Sequence, residues 1–257
     1  MVSVLSILFM SVSLILSVAL PIVLALLLHR RIQFASRSII VGVSIFLIFQ
    51  ILTRIPLLSY LSKSAWYVEF FLNYYLLFGF LLALSAGLFE EIGRYIGFKF
   101  LLKNHLTWGN GVGYGIGHGG LESIFVGTTF LNELVISLTI NSQHKLPSIP
   151  HTIIKTLVET PPYQFLVGGI ERLFAFAIQI GLSLLVLYAV KNKKFLFLVL
   201  AILLHTIIDF VGVVLVKTLW LAEIFVGLFA IASLIWILKS KSYFKANSTQ
   251  MESLIEI

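Results

Sequence analysis

Apolar residues run in long, nearly uninterrupted stretches along most of this chain and do not alternate with polar ones. A helix that crosses a bilayer needs about 20 apolar residues, and seven stretches reach roughly that length. They cover residues 2–28, 39–58, 67–88, 111–138, 165–190, 195–216 and 219–238. The pattern therefore predicts an all-α fold, a polytopic transmembrane helix bundle of about seven spans.

The polar segments between these stretches predict one domain and a tail. The first stretch has neither a basic leading region nor a small-residue cleavage site, so it is predicted to be an uncleaved helix. One long polar connection, residues 139–164, holds four of the six prolines, and short amphipathic helices are expected there. We predict a single transmembrane helical domain over residues 1–240 and a cytoplasmic polar tail over 241–257.

The positions of lysine and arginine predict how the bundle is oriented. With the N-terminus outside, eleven of the 18 basic residues fall on the inner side and four on the outer side. The other three, Arg54, Arg94 and Arg172, fall at membrane depth. Because cytoplasmic loops carry an excess of basic residues, this distribution predicts an N-terminus outside and a C-terminus inside.

Composition excludes several classes of protein. The chain is 59% hydrophobic and 11% charged, whereas soluble domains have about 25% charged residues, so neither a cytosolic globular domain nor a disordered chain fits. With no cysteine, a disulfide framework, a thiol nucleophile and a thiolate metal site are all excluded. The net charge of +7 is explained by membrane orientation, so the lipid bilayer is the expected partner and nucleic acid is not.

Ionisable residues nevertheless occur inside the predicted spans, where each costs about 2.5–3.5 kcal/mol on insertion scales. They form four groups on four predicted helices: Glu90, Glu91 and Arg94; His118 and Glu122; Glu171 and Arg172; His205 and Asp209. Most lie three or four residues apart, on one helix face. The adjacent pair is expected to find its partners on other helices. Four such groups favour a shared polar site over buried ion pairs that only hold helices together.

Isolated ionisable residues receive a simpler interpretation. Four of them lie near predicted span ends, where a long side chain reaches the interface at little cost, and four histidines lie in loops or at helix ends. We expect both sets to be interfacial or solvated: Arg54, Glu69, Glu133 and Glu223; His29, His105, His144 and His151.

A glycine cluster precedes Glu122. Residues 109–120 contain seven of the 18 glycines, with Gly111, Gly115 and Gly119 at every fourth position. Small residues at this spacing let membrane helices pack closely. The bare helix surface beside His118 could also leave room for water and an extended peptide, and the sequence does not separate the two interpretations.

Two mechanisms fit these groups, and both hydrolyse a peptide bond inside the membrane. In the first, a glutamate is the general base on a water, a histidine orients it, and His205 with Asp209 holds the oxyanion. In the second, His118, His205 and a carboxylate such as Glu122 bind zinc, which activates the water. The expected substrate is a peptide or a membrane protein.

These motifs together resemble the YhfC-type bacterial membrane proteins. The resemblance rests on Glu90-Glu91-Ile92-Gly93-Arg94, on the glycine-rich segment ending in His118 and Glu122, on Glu171-Arg172, and on His205 with Asp209. That group lies in the superfamily of the type II CAAX prenyl endopeptidases and bacteriocin-processing proteins, which also contains the APH scaffold subunit of gamma-secretase. The resemblance implies a multi-pass protein of the bacterial plasma membrane.

It also implies roles for individual residues. Glu90 matches the water-activating glutamate, with Glu91 beside it and Arg94 as the basic member. His118 and His205 match the family histidines, and Asp209 matches the residue of the oxyanion site. Glu122, Glu171, Arg172 and Gln179 complete the polar site in supporting positions. A glutamate-based mechanism without a metal is favoured, with zinc as the alternative.

The chain departs from the family pattern at two places. The CAAX enzymes have one more residue between the glutamates and the arginine, so Arg94 could point elsewhere in this chain. A histidine is expected near position 179, where Gln179 stands. Since glutamine is a poor zinc ligand, this departure weakens the zinc alternative. It also leaves open an inactive membrane scaffold or immunity-type protein, while a transporter is disfavoured because no inverted repeat is visible.

Overall fold

A computed structural model describes residues 1–142 and 149–255, with side chains described up to residue 244. The described regular structure is entirely helical. In chain order the elements are α1 (Val4–Ile32), α2 (Ser36–Phe46), a π-helical segment (Leu47–Arg54), α3 (Ile55–Leu61), α4 (Ala65–Asn73), α5 (Tyr75–Ile96), a second π-helical segment (Gly97–Leu101), α6 (Trp108–Asn141), α7 (His151–Glu159), α8 (Pro162–Lys191), α9 (Leu196–Val214) and α10 (Leu219–Ile255).

Seven helical rods in the described part of the chain are long and apolar enough to cross a membrane, which confirms the predicted fold class. In Ser36–Leu61 a π-helical segment lies inside the span, and Tyr75–Leu101 ends in one. Neither the outward N-terminus nor the tail over 241–257 is tested by this arrangement, and both stay predictions. The backbone of α10 continues as helix into that tail.

The predicted start of the third span changes. The third stretch was expected to begin near residue 67, but residues Ala65–Asn73 form the separate helix α4. The break falls at Tyr74, whose φ of −133° and ψ of 48° are not helical. The polar connection contains the expected short helix, α7, while His144 lies outside the described residues.

The glycine-rich helix α6 lies at the centre of the bundle, between α1, α2 and α8. A Cβ atom on Gly117 would lie 2.1 Å from the carbonyl oxygen of Ile39, and one on Gly42 would lie 2.2 Å from that of Tyr114. Neighbouring backbones therefore fill the glycine surface. The close-packing interpretation is confirmed, and the idea that this surface holds water and a peptide is wrong.

Helices α5 and α9 form a second tight, antiparallel pair. A Cβ atom on Gly79 would lie 2.5 Å from Cγ1 of Val213, and one on Gly87 would lie 2.8 Å from Oγ1 of Thr206. The start of α5 is thus level with the end of α9. This register places Glu90 and Glu91 opposite His205, while α6 and α8 pack from the other side.

Candidate active site

Glu90 lies at the junction of these helices, and its carboxylate accepts hydrogen bonds from several of them. The side chain of Gln50, in the first π-helical segment, donates to Oε1. Oε2 lies 2.9 Å from Nε2 of His118 on α6 and accepts from Nη2 of Arg94 at 3.3 Å. The residue is 4% exposed, so these contacts replace the water that the carboxylate loses on burial.

Glu91 and Arg94 form a fully buried pair beside Glu90. Nη1 of Arg94 donates to the two carboxylate oxygens of Glu91 at 2.9 and 3.1 Å, and both residues are 0% exposed. The expectation that Arg94 could point elsewhere is therefore wrong. Residues three and four apart share a helix face, so the shorter spacing still brings the guanidinium onto both glutamates.

His205 is oriented by Glu91 from α5. Its Nδ1 lies 2.7 Å from Oε1 of Glu91, which leaves Nε2 on the opposite side of the ring. Nε2 lies 3.9 Å from Oε2 of Glu90 and 3.7 Å from Oδ2 of Asp209. The i,i+4 pair of His205 and Asp209 therefore forms as predicted, with the imidazole between two carboxylates.

Gln179 occupies the position where a histidine was expected, and it joins the groups together. Its Oε1 accepts a hydrogen bond from Nη2 of Arg94. Its Nε2 donates to Oε2 of Glu122 at 2.5 Å and to Oε2 of Glu90 at 3.3 Å. The side-chain amide thus uses its acceptor and its donors together to hold a buried arginine and two glutamates.

Arg172 connects the remaining acidic residues. Its Nη1 lies 3.8 Å from Oε1 of Glu122 on α6, as a partner on another helix requires. Its Nη2 also lies 2.5 Å from Oε1 of Glu171, although this pair was expected to find its partners on other helices. Adjacent residues point to different faces of a helix, but the arginine side chain is long enough to contact its neighbour. His118 and Glu122, expected as a pair, bind different partners.

These residues surround a cavity of about 430 Å³, within the usual range for ligand sites. Four of the predicted catalytic or supporting carboxylates and one histidine are on its wall: Glu90, Glu122, Glu171, His205 and Asp209. Arg172 and Gln179 also line it. Glu91, Arg94 and His118 do not; they lie behind the wall, in contact with Glu90 or His205.

Two cavity residues were missed or misjudged from the sequence. Gln50 carried no prediction, and Arg54 was expected to be merely interfacial, yet both line the cavity. Arg54 donates to Oγ of Ser85 at 2.9 Å, to the carbonyl of Leu82 at 2.8 Å and to Oε1 of Gln50 at 3.3 Å. Both lie in a π-helical segment, a feature common at functional sites. A glutamine four residues before an arginine in an apolar stretch was the available signal.

The isolated residues differ from one another. Glu69 is exposed, as expected for an interfacial residue. Glu223 is not simply interfacial, because its Oε2 is buried with no hydrogen-bond partner among the described residues. Glu133 faces α7 across a separate groove.

Three of the residues could hold a metal ion. One donor atom from each of Glu90, His118 and Glu122 lies within 4.8 Å of the others, and imidazole with carboxylates is a zinc-type donor set. His205, expected among the ligands, is not in this group. A histidine that binds zinc normally donates its second ring N–H to an acceptor, but Nδ1 of His118 has no partner among the described residues. The donor types and spacing fit zinc, while the outer support of His118 is missing.

The fold and the site together define a multi-pass membrane protein with an internal polar site. Its seven apolar spans surround a buried network of carboxylates, histidines and arginines. The sequence model of the YhfC intramembrane metalloprotease family matches residues 16–233. The chain belongs to this YhfC family, as its motifs indicated.

A Bacillus subtilis (strain 168) protein, "Uncharacterized membrane protein YhfC", is 35% identical over 260 residues, which cover 95% of this chain and 100% of that protein. No solved structure matches the chain. Family and fold together make the chain a multi-pass bacterial membrane protein.

Proposed function

We propose that this protein is an intramembrane endopeptidase that hydrolyses a peptide bond of a membrane-embedded segment in the cavity beside Glu90. The observation that carries the proposal is the position of Glu90. It lies on the cavity wall, while Arg94 and His118 hold it from behind. The description of the YhfC family as intramembrane metalloproteases supports protease activity.

Glu90 is the general base of the proposed reaction. A base must lie within hydrogen-bond reach of the proton it takes, and Glu90 contacts the cavity directly. It accepts a proton from a water as that water attacks the peptide carbonyl, and it returns this proton to the leaving amine. Gln50, Arg94, His118 and Gln179 fix the carboxylate, because each contacts one of its oxygens.

His205 is the proposed donor to the oxyanion of the tetrahedral intermediate. With Nδ1 directed at Glu91, Nε2 lies on the other side of the ring, and a doubly protonated imidazolium can donate its Nε2 proton to the developing charge. An ionised carboxylate only accepts hydrogen bonds. Asp209 is therefore proposed to position His205, whose Nε2 lies 3.7 Å away, and not to contact the oxyanion itself.

A zinc-dependent form of the same reaction is favoured by one observation, the convergence of donor atoms from Glu90, His118 and Glu122. These three residues would hold the ion. Bound zinc would supply a Lewis acid for the carbonyl and a nucleophilic water at neutral pH. In that form Glu90 is a ligand, and His205 and Asp209 keep their places on the cavity wall.

Elemental analysis of the purified protein separates the two forms. The metal-free form predicts no stoichiometric zinc and full cleavage after treatment with a chelator. The zinc form predicts about one zinc per chain, lost in both Glu122→Gln and His118→Ala, and cleavage abolished by the chelator.

The proposed activity is tested with the protein reconstituted in lipid vesicles and a library of peptides that contain an apolar membrane segment. Mass spectrometry of the products is expected to show an internal cleavage that Glu90→Gln abolishes. The control Glu69→Gln, which changes an exposed glutamate on α4, is expected to cleave like the wild type. A wild-type protein that cleaves none of the peptides, although it is folded, would contradict the proposal and favour a non-catalytic scaffold.

A further inference from the structure

The residues that line the cavity are not distributed evenly about Glu90. On α5 they run from Glu90 back to Gly79, near the start of the helix. On α9 they run from His205 forward to Val213, one residue before the helix ends. At about 1.5 Å per residue, these walls extend roughly 16 Å and 12 Å from the level of Glu90.

The other lining helices extend in the same direction. Arg54 lies one turn after Gln50, towards the end of the span Ser36–Leu61. Glu122 lies one turn beyond His118, towards the end of α6. On α8 the wall runs from Gln179 back to Glu171, towards the helix start, with only Leu182 on the far side of Gln179. Because these helices alternate in direction, all of these ends lie on one side of the bundle.

That side is the one on which the chain begins. Tyr75 is the first residue of α5, and its hydroxyl oxygen lies 3.5 Å from the carbonyl oxygen of Val213. The turn at residues 62–64 leads to this end from α3 by way of α4. With seven spans, the start of α1 lies on the same side as the end of the second span, and so as this turn.

Towards the opposite side buried residues close the bundle next to the network, and the cavity beside Tyr95 and Lys99 is a separate one. Beyond Glu90, Arg94 on α5 and Phe98 in the second π-helical segment are both 0% exposed, and Tyr114 and His118 on α6 are also 0% exposed. A Cβ atom on Gly93 would lie 2.9 Å from Ile45, so α2 and α5 are in direct contact there. No described cavity residue lies on this side of the network except Leu182.

We propose that the cavity opens only towards the side of the membrane that carries the N-terminus, so that water and the substrate reach Glu90 from that side. The wall on the way carries three charged side chains among apolar ones, those of Arg54, Arg172 and Asp209, and these charges suit a water-filled entrance. This direction of access, together with the proposed function on which it rests, defines the substrate class. The substrates are membrane-anchored chains whose cleavage site lies in the half of the bilayer nearest the N-terminus.

The chain has no cysteine, so single cysteines report access without background. Gly212→Cys is the main probe, because Gly212 lines the cavity and a Cβ atom there meets nothing within 4 Å. Ile207→Cys is the matched control on the same helix, 45% exposed but not on the cavity wall. Lys63→Cys and Lys194→Cys, in exposed turns at opposite ends of the spans, mark the two sides.

A membrane-impermeant maleimide is applied to one side of sealed vesicles at a time. We expect Gly212→Cys to react from the Lys63→Cys side only, and at least about tenfold faster than Ile207→Cys, since the thiolate that reacts forms in water and not in lipid. Reaction from the Lys194→Cys side, equal reaction from both sides, or a rate no higher than that of Ile207→Cys would overturn the proposal.

Ala175→Cys, on the α8 wall of the cavity, is the second probe and is expected to give the same pattern. It decides the question if Gly212→Cys does not fold. Because labelling requires no cleavage, a failure of this proposal is distinguishable from a failure of the proposed peptidase activity.

Discussion

Glu90 receives side chains from three other parts of the fold, Gln50, His118 and Gln179, besides Arg94 on its own helix. The arginine was predictable, because spacing on one helix fixes which side chains meet. The contacts of the neutral glutamines were not, since Gln50 drew no prediction and Gln179 was expected only in a supporting position of the polar site, with no partner named. A glutamine on one helix has no spacing that indicates a partner on another, so these contacts depend on how the helices pack.

Arg94 is the residue whose loss is expected to affect stability most. Arg94→Gln would leave Glu90 and Glu91 buried without their shared cation, and removal of one partner of a buried ion pair costs about 3–5 kcal/mol. We expect the free energy of unfolding in detergent to fall by about that amount.

Lys155→Gln is the matched control for that measurement. It breaks the exposed pair with Glu159, whose atoms lie 4.0 Å apart, and such pairs contribute at most about 1 kcal/mol. Equal, small losses for both variants would mean that the Arg94 cluster is not the buried network described above.

Among the helices, the approximate lengths of the spans were predictable, but the breaks and π-helical segments in them were not. The apolar runs indicated seven spans, but the break at Tyr74 has neither glycine nor proline to mark it. The π-helical segment that carries Gln50 and Arg54 is likewise invisible in a hydrophobic pattern. The glycine repeat did predict close packing, because a small residue at every fourth position is a property of a single helix face.

Close packing gives opposite expectations for two glycines. Gly117→Ala places a methyl group against the backbone of Ile39, 2.1 Å from its carbonyl oxygen. Overpacking of this kind costs about 1–3 kcal/mol or more, which exceeds the gain in helix propensity of about 1 kcal/mol. We expect a lower melting temperature for Gly117→Ala than for the wild type.

Gly212→Ala is the reference for this comparison, since a Cβ atom at Gly212 has no neighbour within 4 Å. It should leave the melting temperature unchanged or raise it slightly. A Gly117→Ala protein as stable as Gly212→Ala would show that α6 and α2 do not approach as closely as described.

At the scale of the whole molecule, four groups of charges on four helices converge on one cavity. The convergence was predictable because isolated charges in lipid are costly. Which side of the cavity is open and which is closed could not be predicted, because it depends on the register between helices. The orientation of the bundle in the membrane rests on the distribution of lysine and arginine. It decides which compartment the open side faces.

That orientation gives a prediction for intact cells. With the N-terminus outside, Lys63→Cys should react with an impermeant maleimide in intact cells, because its turn lies on the outer side. Lys194→Cys should react only after permeabilisation. The reverse pattern would invert the predicted topology while leaving the internal arrangement of the site unchanged.

Glu90 is proposed to perform the chemistry of peptide hydrolysis, and the most direct test is a single-turnover cleavage rate on a peptide that the wild type cleaves. Wild type and Glu90→Gln are compared in vesicles after both are shown to have the same helix content. A general base contributes about 10²–10⁴-fold to a rate, so we expect Glu90→Gln to lose at least about 100-fold. A folded Glu90→Gln protein that cleaves at close to the wild-type rate would contradict the proposal.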